Sequence, residues 1–137
     1  MTESNIQQFF HAYVTTALWS STDESRDDGG DAFDQNYDQD DIAPEAITEM
    51  ESDCRAFLAI AGDTISTATT QWDDIAGVGF DKYGRAGHDF WLTRNGHGAG
   101  FWDGDWPENE GSTLTDMAEK FGEVNLYLGD DGAIYIS

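Results

Sequence analysis

Positive charge is what this chain lacks most: six Lys and Arg stand against 28 Asp and Glu in 137 residues, a formal net charge of −22. A surface of that sign repels nucleic-acid phosphates and anionic lipid headgroups, so direct binding to DNA, RNA or a membrane surface is disfavoured and a basic partner is expected. Cysteine is nearly absent. The one thiol, Cys54, cannot close an internal disulfide, and together with three scattered histidines it shows no zinc-ligand spacing. No apolar run approaches the roughly eighteen residues of a membrane span. The start MTESNIQQ lacks the positive region of a signal peptide, so a cytoplasmic protein is expected. A Gly-x-Ser-x-Gly elbow is missing too, and Cys54 has no electropositive neighbour beyond Arg55, which leaves nucleophilic catalysis without a site.

Large apolar side chains are plentiful: five Trp, eight Phe and five Tyr supply bodies that disordered chains do not carry. The length suits one folded domain over residues 1–137. The acids are not spread evenly through it. Thr22 to Asp53 holds thirteen carboxylates and only Arg26, a net of −12 on 32 residues against −10 on the other 105. Asp outnumbers Glu nineteen to nine, so much of the charge sits on short side chains close to the backbone.

Periodicity divides the chain into elements. Ile6, Phe9, Phe10, Tyr13, Val14, Ala17 and Leu18 follow helical spacing and predict a first helix over about 5–19, with Ser4 and Gln7 resembling a capping box. Residues 20–41 show neither helical nor strand period and read as an acidic loop anchored only by Phe33 and Tyr37. Pro44 opens a second helix whose stripe is Ile47, Met50, Cys54, Phe57, Leu58 and Ala61, ending before Gly62, with Cys54 as a small core residue; residues 63–79 show no clean period and leave open a continuation of this helix or a short further one near 64–71. On its other side Glu45, Glu49, Glu51 and Asp53 place four carboxylates on about 12 Å of helix. That is close to the roughly 3.4 Å phosphate spacing of one DNA strand. His88–Thr93 and Ala99–Asp103 then read as strands around Asn95-Gly96, a hairpin signal. A third helix is expected over Thr113–Phe121, capped by Ser112 or Thr113 and stopped by Gly122. A second hairpin closes the chain: Val124, Leu126 and Leu128 alternate, Asp130-Asp131-Gly132 turns, and Ile134 and Ile136 alternate again. The order α-α-β-β-α-β-β predicts an α+β fold, a small antiparallel sheet of two hairpins with helices packed on one face.

GHDFWLTRNGHGAGFWD (Gly87 to Asp103) and FGEVNLYLGDDGAIY (Phe121 to Tyr135) resemble a family of short phage and prophage proteins. The likeness covers the C-terminal third, extends loosely to the helix after Pro44, and leaves out the Asp-rich loop. It implies a phage or mobile-element origin and the same small fold, and assigns no activity and no functional residue.

Other chemistry is weaker. Asp34, Asn36, Asp38, Asp40 and Glu45 occupy positions 1, 3, 5, 7 and 12 of a calcium loop, but position 6 is Gln39 where glycine is needed. No metal and no cofactor are therefore expected. Gly96, Gly98 and Gly100 fit a tight turn better than a phosphate nest, because Asp89, Asp103 and Asp105 stand nearby. His97 beside Arg94 is the one candidate base for a small enzyme. The reading favoured by the charge is a non-enzymatic inhibitor that imitates nucleic acid and occupies the basic DNA- or RNA-binding surface of a host protein. Its contact residues are expected to be Asp27, Asp28, Asp31, Asp34, Asp38, Asp40, Asp41, Glu45, Glu49 and Asp53. The alternative is a halophile-adapted or highly soluble accessory binding protein using an aromatic patch of Trp91, Trp102 and Trp106.

Overall fold

A computed structural model describes residues 2–22, 30–68, 82–96, 100–102 and 106–137. Among these the order is α1 (Glu3–Ser20), α2 (Pro44–Thr67), α3 (Lys82–Arg94), α4 (Glu108–Glu119), β1 (Leu126–Leu128) and β2 (Ile134–Ile136). Two single-turn 3-10 segments, Phe33–Gln35 and Gln39–Asp41, lie between α1 and α2. The class is α+β, as expected, but helix dominates and the described sheet is a single hairpin.

α1 turns Phe9, Tyr13, Val14 and Ala17 fully inward, the stripe its spacing predicts. Its cap lies two residues upstream of the expected Ser4: the Thr2 hydroxyl accepts from the Asn5 amide at 3.2 Å. Gln7 donates to the Glu3 carboxylate instead of reaching back to Ser4. α2 begins at Pro44 as expected but runs through Gly62 to Thr67, because Ala61 and Ile65 prolong the buried stripe. An interior glycine costs about 1 kcal/mol relative to alanine, which that burial outweighs. The Lys82 ammonium donates to the Ser66 and Ala68 carbonyls at 3.3 and 2.7 Å, satisfying acceptors that the end of α2 leaves open.

The first expected hairpin is overturned. Residues 88–93 belong to α3, and residues 100–102 form a bend instead of a second strand. Nine of the thirteen α3 residues are buried, Asp89, Thr93 and Arg94 among them. A helix enclosed on nearly every side has no polar face, so the period of 3.6 that marks a surface helix is erased. Asn95-Gly96 acts as a helix stop: Gly96 has φ +70°, and its amide donates to the Thr93 carbonyl at 3.2 Å.

α4 starts at Glu108, five residues before the expected Thr113, with Pro107 as its cap residue. Glu108 and Glu110 in the first turn complement the positive end of the helix dipole. Gly122, at φ +75°, ends the segment as expected. The final hairpin is also as expected: β1 and β2 are antiparallel, with Leu126 opposite Ile136, Tyr127 opposite Tyr135 and Leu128 opposite Ile134.

α1 and α3 form the closest helix pair. At Gly87 an added Cβ would lie 2.1 Å from the Phe9 carbonyl oxygen, so only glycine admits this approach. Around that contact the core is aromatic. Phe90 stacks on Phe57 at 4.1 Å between ring centroids and meets Tyr13 at 5.3 Å and Phe121 edge-on at 5.2 Å. One buried cluster draws on all four helices and the hairpin. Cys54 lies in it with no exposed surface, and burial pushes its thiol well above the ordinary range.

Candidate partner-binding surface

The segment between α1 and α2 is short of hydrogen-bonded structure but is held at three points. Thr22 pairs with Ala32 in an isolated antiparallel bridge, and the Phe33 amide donates to the Ser21 carbonyl at 3.0 Å. Phe33 is buried against α1 and stacks obliquely with Tyr37. At the far end Ile42 bridges Ile134 in parallel, and the Ala43 amide donates to the Ile134 carbonyl at 2.8 Å. Residues 30–43 therefore form a strap across the body, and what the sequence shows as an aperiodic loop is anchored by Phe33, Ile42 and Ala43.

Between those anchors the polar side chains organise the strap. Asp38 caps the second 3-10 turn, accepting from the Asp40 amide at 2.9 Å, while its own amide donates to the Asp41 carboxylate at 2.8 Å. Asn36 reaches the Asp31 carboxylate at 3.5 Å. Asp31, Asp34, Asp38, Asp40 and Asp41 are all exposed, and so are Glu45 and Glu49 on the first turns of α2. Asp27 and Asp28 lie outside the described residues. Among those described, no group of three or more His, Cys, Asp or Glu is arranged to hold a metal ion.

Asp53 separates from this set. Its carboxylate accepts from Arg94 Nη1 at 2.9 Å and its side chain is 29% exposed, against 2% for the arginine. Arg94, expected at a hairpin tip, is instead the internal clasp of the fold. Its guanidinium donates to the Tyr13 hydroxyl at 3.0 Å and to the carbonyls of Gly122 and Phe121 at 2.9 and 3.1 Å, and lies over the Phe90 and Phe121 rings. It thereby joins α1, α2 and α3 and ties down the turn that follows α4. Burial raises the Tyr13 hydroxyl far above its ordinary range, so it faces Arg94 as a neutral acceptor.

Glu51 is diverted as well, accepting from Arg55 Nε at 3.0 Å, while Arg55 Nη2 donates to Glu3 at 2.6 Å and holds that carboxyl below the usual range. The row of four carboxylates on α2 is thus reduced to Glu45 and Glu49, one turn or about 6 Å apart. The phosphate-like spacing does not extend along that helix. Arg55, Lys82, Arg85 and Arg94 are all engaged by carboxylates or carbonyls of the fold itself, Arg85 Nε lying 3.5 Å from the fully buried Asp89. Asp89 also accepts from Trp106 Nε1 at 2.8 Å and lies 2.8 Å from His88 Nδ1.

No protein-family model matches this chain, and no curated protein or solved structure does either.

The tryptophan patch is divided by the fold. Trp91 and Trp106 are 1% and 4% exposed, whereas Trp102 is 45% exposed. The core takes the first two: Trp91 donates to the Ser20 hydroxyl and packs edge-on against Tyr13, and Trp106 binds Asp89. Trp102 lines a cleft of about 500 Å³ with Phe101, Trp106, Glu108 and Asp116. His97, Gly98, Asp103 and Asp105 lie outside the described residues.

One exposed feature has no place among the expected contacts. On the outer face of the hairpin Tyr127 and Tyr135 stack at 5.8 Å, beside a shallow hollow of about 340 Å³ lined by both rings, Gly129, Asp130 and Asp131. Its signal was in the sequence: strands that turn Leu126, Leu128, Ile134 and Ile136 inward must turn Tyr127 and Tyr135 outward. No described helix is long and apolar enough to cross a membrane.

Proposed function

We propose that this chain is a non-enzymatic inhibitor of phage or mobile-element type that imitates nucleic acid and binds the basic DNA- or RNA-binding surface of a host protein, such as a restriction or CRISPR effector, a nuclease or a repair factor. The observation that carries this reading is the strap: exposed carboxylates of Asp31, Asp34, Asp38, Asp40 and Asp41 continue into Glu45 and Glu49 on a segment pinned by Phe33, Ile42 and Ala43. An anchored strap meets its partner with much of the ordering cost already met, which a free acidic peptide would have to overcome on binding. Complementary charge speeds the encounter and disfavours wrong partners. Among the described residues Arg94, Lys82 and Arg55 support the reading, since their bonds to carboxylates and carbonyls of the fold leave the strap's charge less opposed.

The test is capture from host lysate on immobilised protein at low salt, followed by washing at about 0.5 M salt, where screening reaches only about 4 Å. The captured protein should bind DNA or RNA, leave the column in the wash, and be displaced by duplex competitor. Reversing Asp34, Asp40, Glu45 and Glu49 to Lys should abolish capture while the circular dichroism spectrum is kept. A captured protein that nucleic acid cannot displace, or capture that survives the four reversals, overturns the reading.

A further inference from the structure

We infer that the outer face of the terminal hairpin is a receptor for an arginine side chain of a basic polypeptide, with Tyr127 as the stacking surface and Asp130 and Asp131 as the carboxylate partners. Tyr127 is 47% exposed, a large exposure for an aromatic residue in the middle of a strand. Its ring is held by a stacked partner, Tyr135, whose hydroxyl donates to Asp131. Asp131 also accepts from the Ala133 amide at 3.0 Å, so its carboxylate is fixed at the edge of the hollow. Gly129 completes the construction: a Cβ there would fall 2.5 Å from the Tyr135 ring, so the missing side chain lets that ring lie across the turn. Gly132, at φ +83°, closes the turn that brings Asp130 and Asp131 to the same end of the hairpin as the rings.

The chemistry of the hollow selects its occupant. An exposed ring face beside the fixed Asp131 carboxylate and the neighbouring Asp130 attracts a cation, and no Lys or Arg lies among the described lining residues to fill it from within. Glu45, at the start of α2, adds negative charge felt at Tyr135. A planar guanidinium stacks on a ring and presents paired donors to a carboxylate, whereas an ammonium is a more strongly hydrated point charge, so arginine is preferred to lysine. This extends the reading above from charge to a particular side chain, and rests on it only for the identity of the partner.

The test titrates the intact protein with two blocked tripeptides, Gly-Arg-Gly and Gly-Lys-Gly, at about 20 mM salt so that screening is weak, following the Tyr127 and Tyr135 ring resonances by NMR. The arginine peptide should shift both rings and bind about three- to fivefold more tightly than the lysine peptide, because both cations meet the ring face but only the guanidinium stacks flat and presents paired donors to the carboxylate. Tyr127→Ala should remove that preference. Tyr127→Phe, which keeps a ring face, should retain it, and so should Asp34→Asn combined with Asp40→Asn on the strap. Equal affinity for the two peptides, unmoved ring resonances, or a preference that survives Tyr127→Ala would overturn the inference. None of these outcomes depends on whether DNA competes for a host protein, so the two readings fail separately.

Discussion

Taking away the Arg94 guanidinium leaves the Asp53 carboxylate, the Tyr13 hydroxyl and the carbonyls of Phe121 and Gly122 without their donor, and of these the Tyr13 hydroxyl is fully enclosed. Breaking a buried ion pair from one side costs about 3–5 kcal/mol; here water reaches the stranded Asp53, and the Tyr13 hydroxyl and two carbonyls that lose their donor add about 1 kcal/mol each. Arg94→Met should fall in that range by urea denaturation. Asp53→Asn keeps an oxygen facing Arg94 at a position water already reaches, and should cost about 1 kcal/mol. Equal losses for the two variants would mean that the ion pair, and not the fourfold donor, is what Arg94 contributes. A second prediction concerns Tyr135, whose hydroxyl is raised to about 12 because its bond to Asp131 favours the neutral phenol. A raised folded value contributes stability that is present below pH 10 and lost as pH rises through 12. Asp131→Asn should return the Tyr135 titration, followed by the ring carbon shift, toward 10, and should remove that alkaline contribution to hairpin stability.

At the level of elements, legibility follows how many sides of each element meet solvent. α1 and the terminal hairpin each keep a wet face, so period 3.6 and period 2 are plain in their sequences. α3 keeps almost none. Its aromatic residues, Thr93 and the Asn-Gly pair satisfy the rules for a hairpin equally well, since a helix stop and a tight turn both need positive φ. The exposed strap acids from Asp31 to Glu49 were legible from composition, while the loss of Asp53 was not, because it depends on Arg94 arriving from 41 residues away. The α1–α3 contact yields the third prediction. Gly87→Ala gains up to about 1 kcal/mol in helix propensity. Against that, it drives a methyl into the Phe9 carbonyl, which is backbone and yields only if the helices separate. Overpacking of this kind costs about 1–3 kcal/mol, so the net effect should be destabilising by thermal melting. Ala at the exposed position Ser52 of α2 should show the propensity gain alone.

Across the whole molecule, charge and core oppose one another, and salt separates their contributions. A net charge of −22 raises the energy of the compact state through self-repulsion, while burial of the aromatic cluster around Phe90 favours that state. Screening relieves long-range repulsion first and is nearly complete by about 0.5 M, where the Debye length is about 4 Å. The protein should therefore be folded at about 20 mM salt, and its Tm should rise by several degrees up to about 0.5 M and then level off. Adaptation to a saline interior requires another course, with little folded protein at low salt and a Tm that keeps climbing into the molar range. Association with a basic partner must run against stability over the same interval, because the screening that relieves repulsion within the chain also weakens attraction between the molecules. A Tm and an affinity that both increase with salt would contradict a function based on the strap's charge, and would move attention to the exposed aromatic side chains Trp102 and Tyr127.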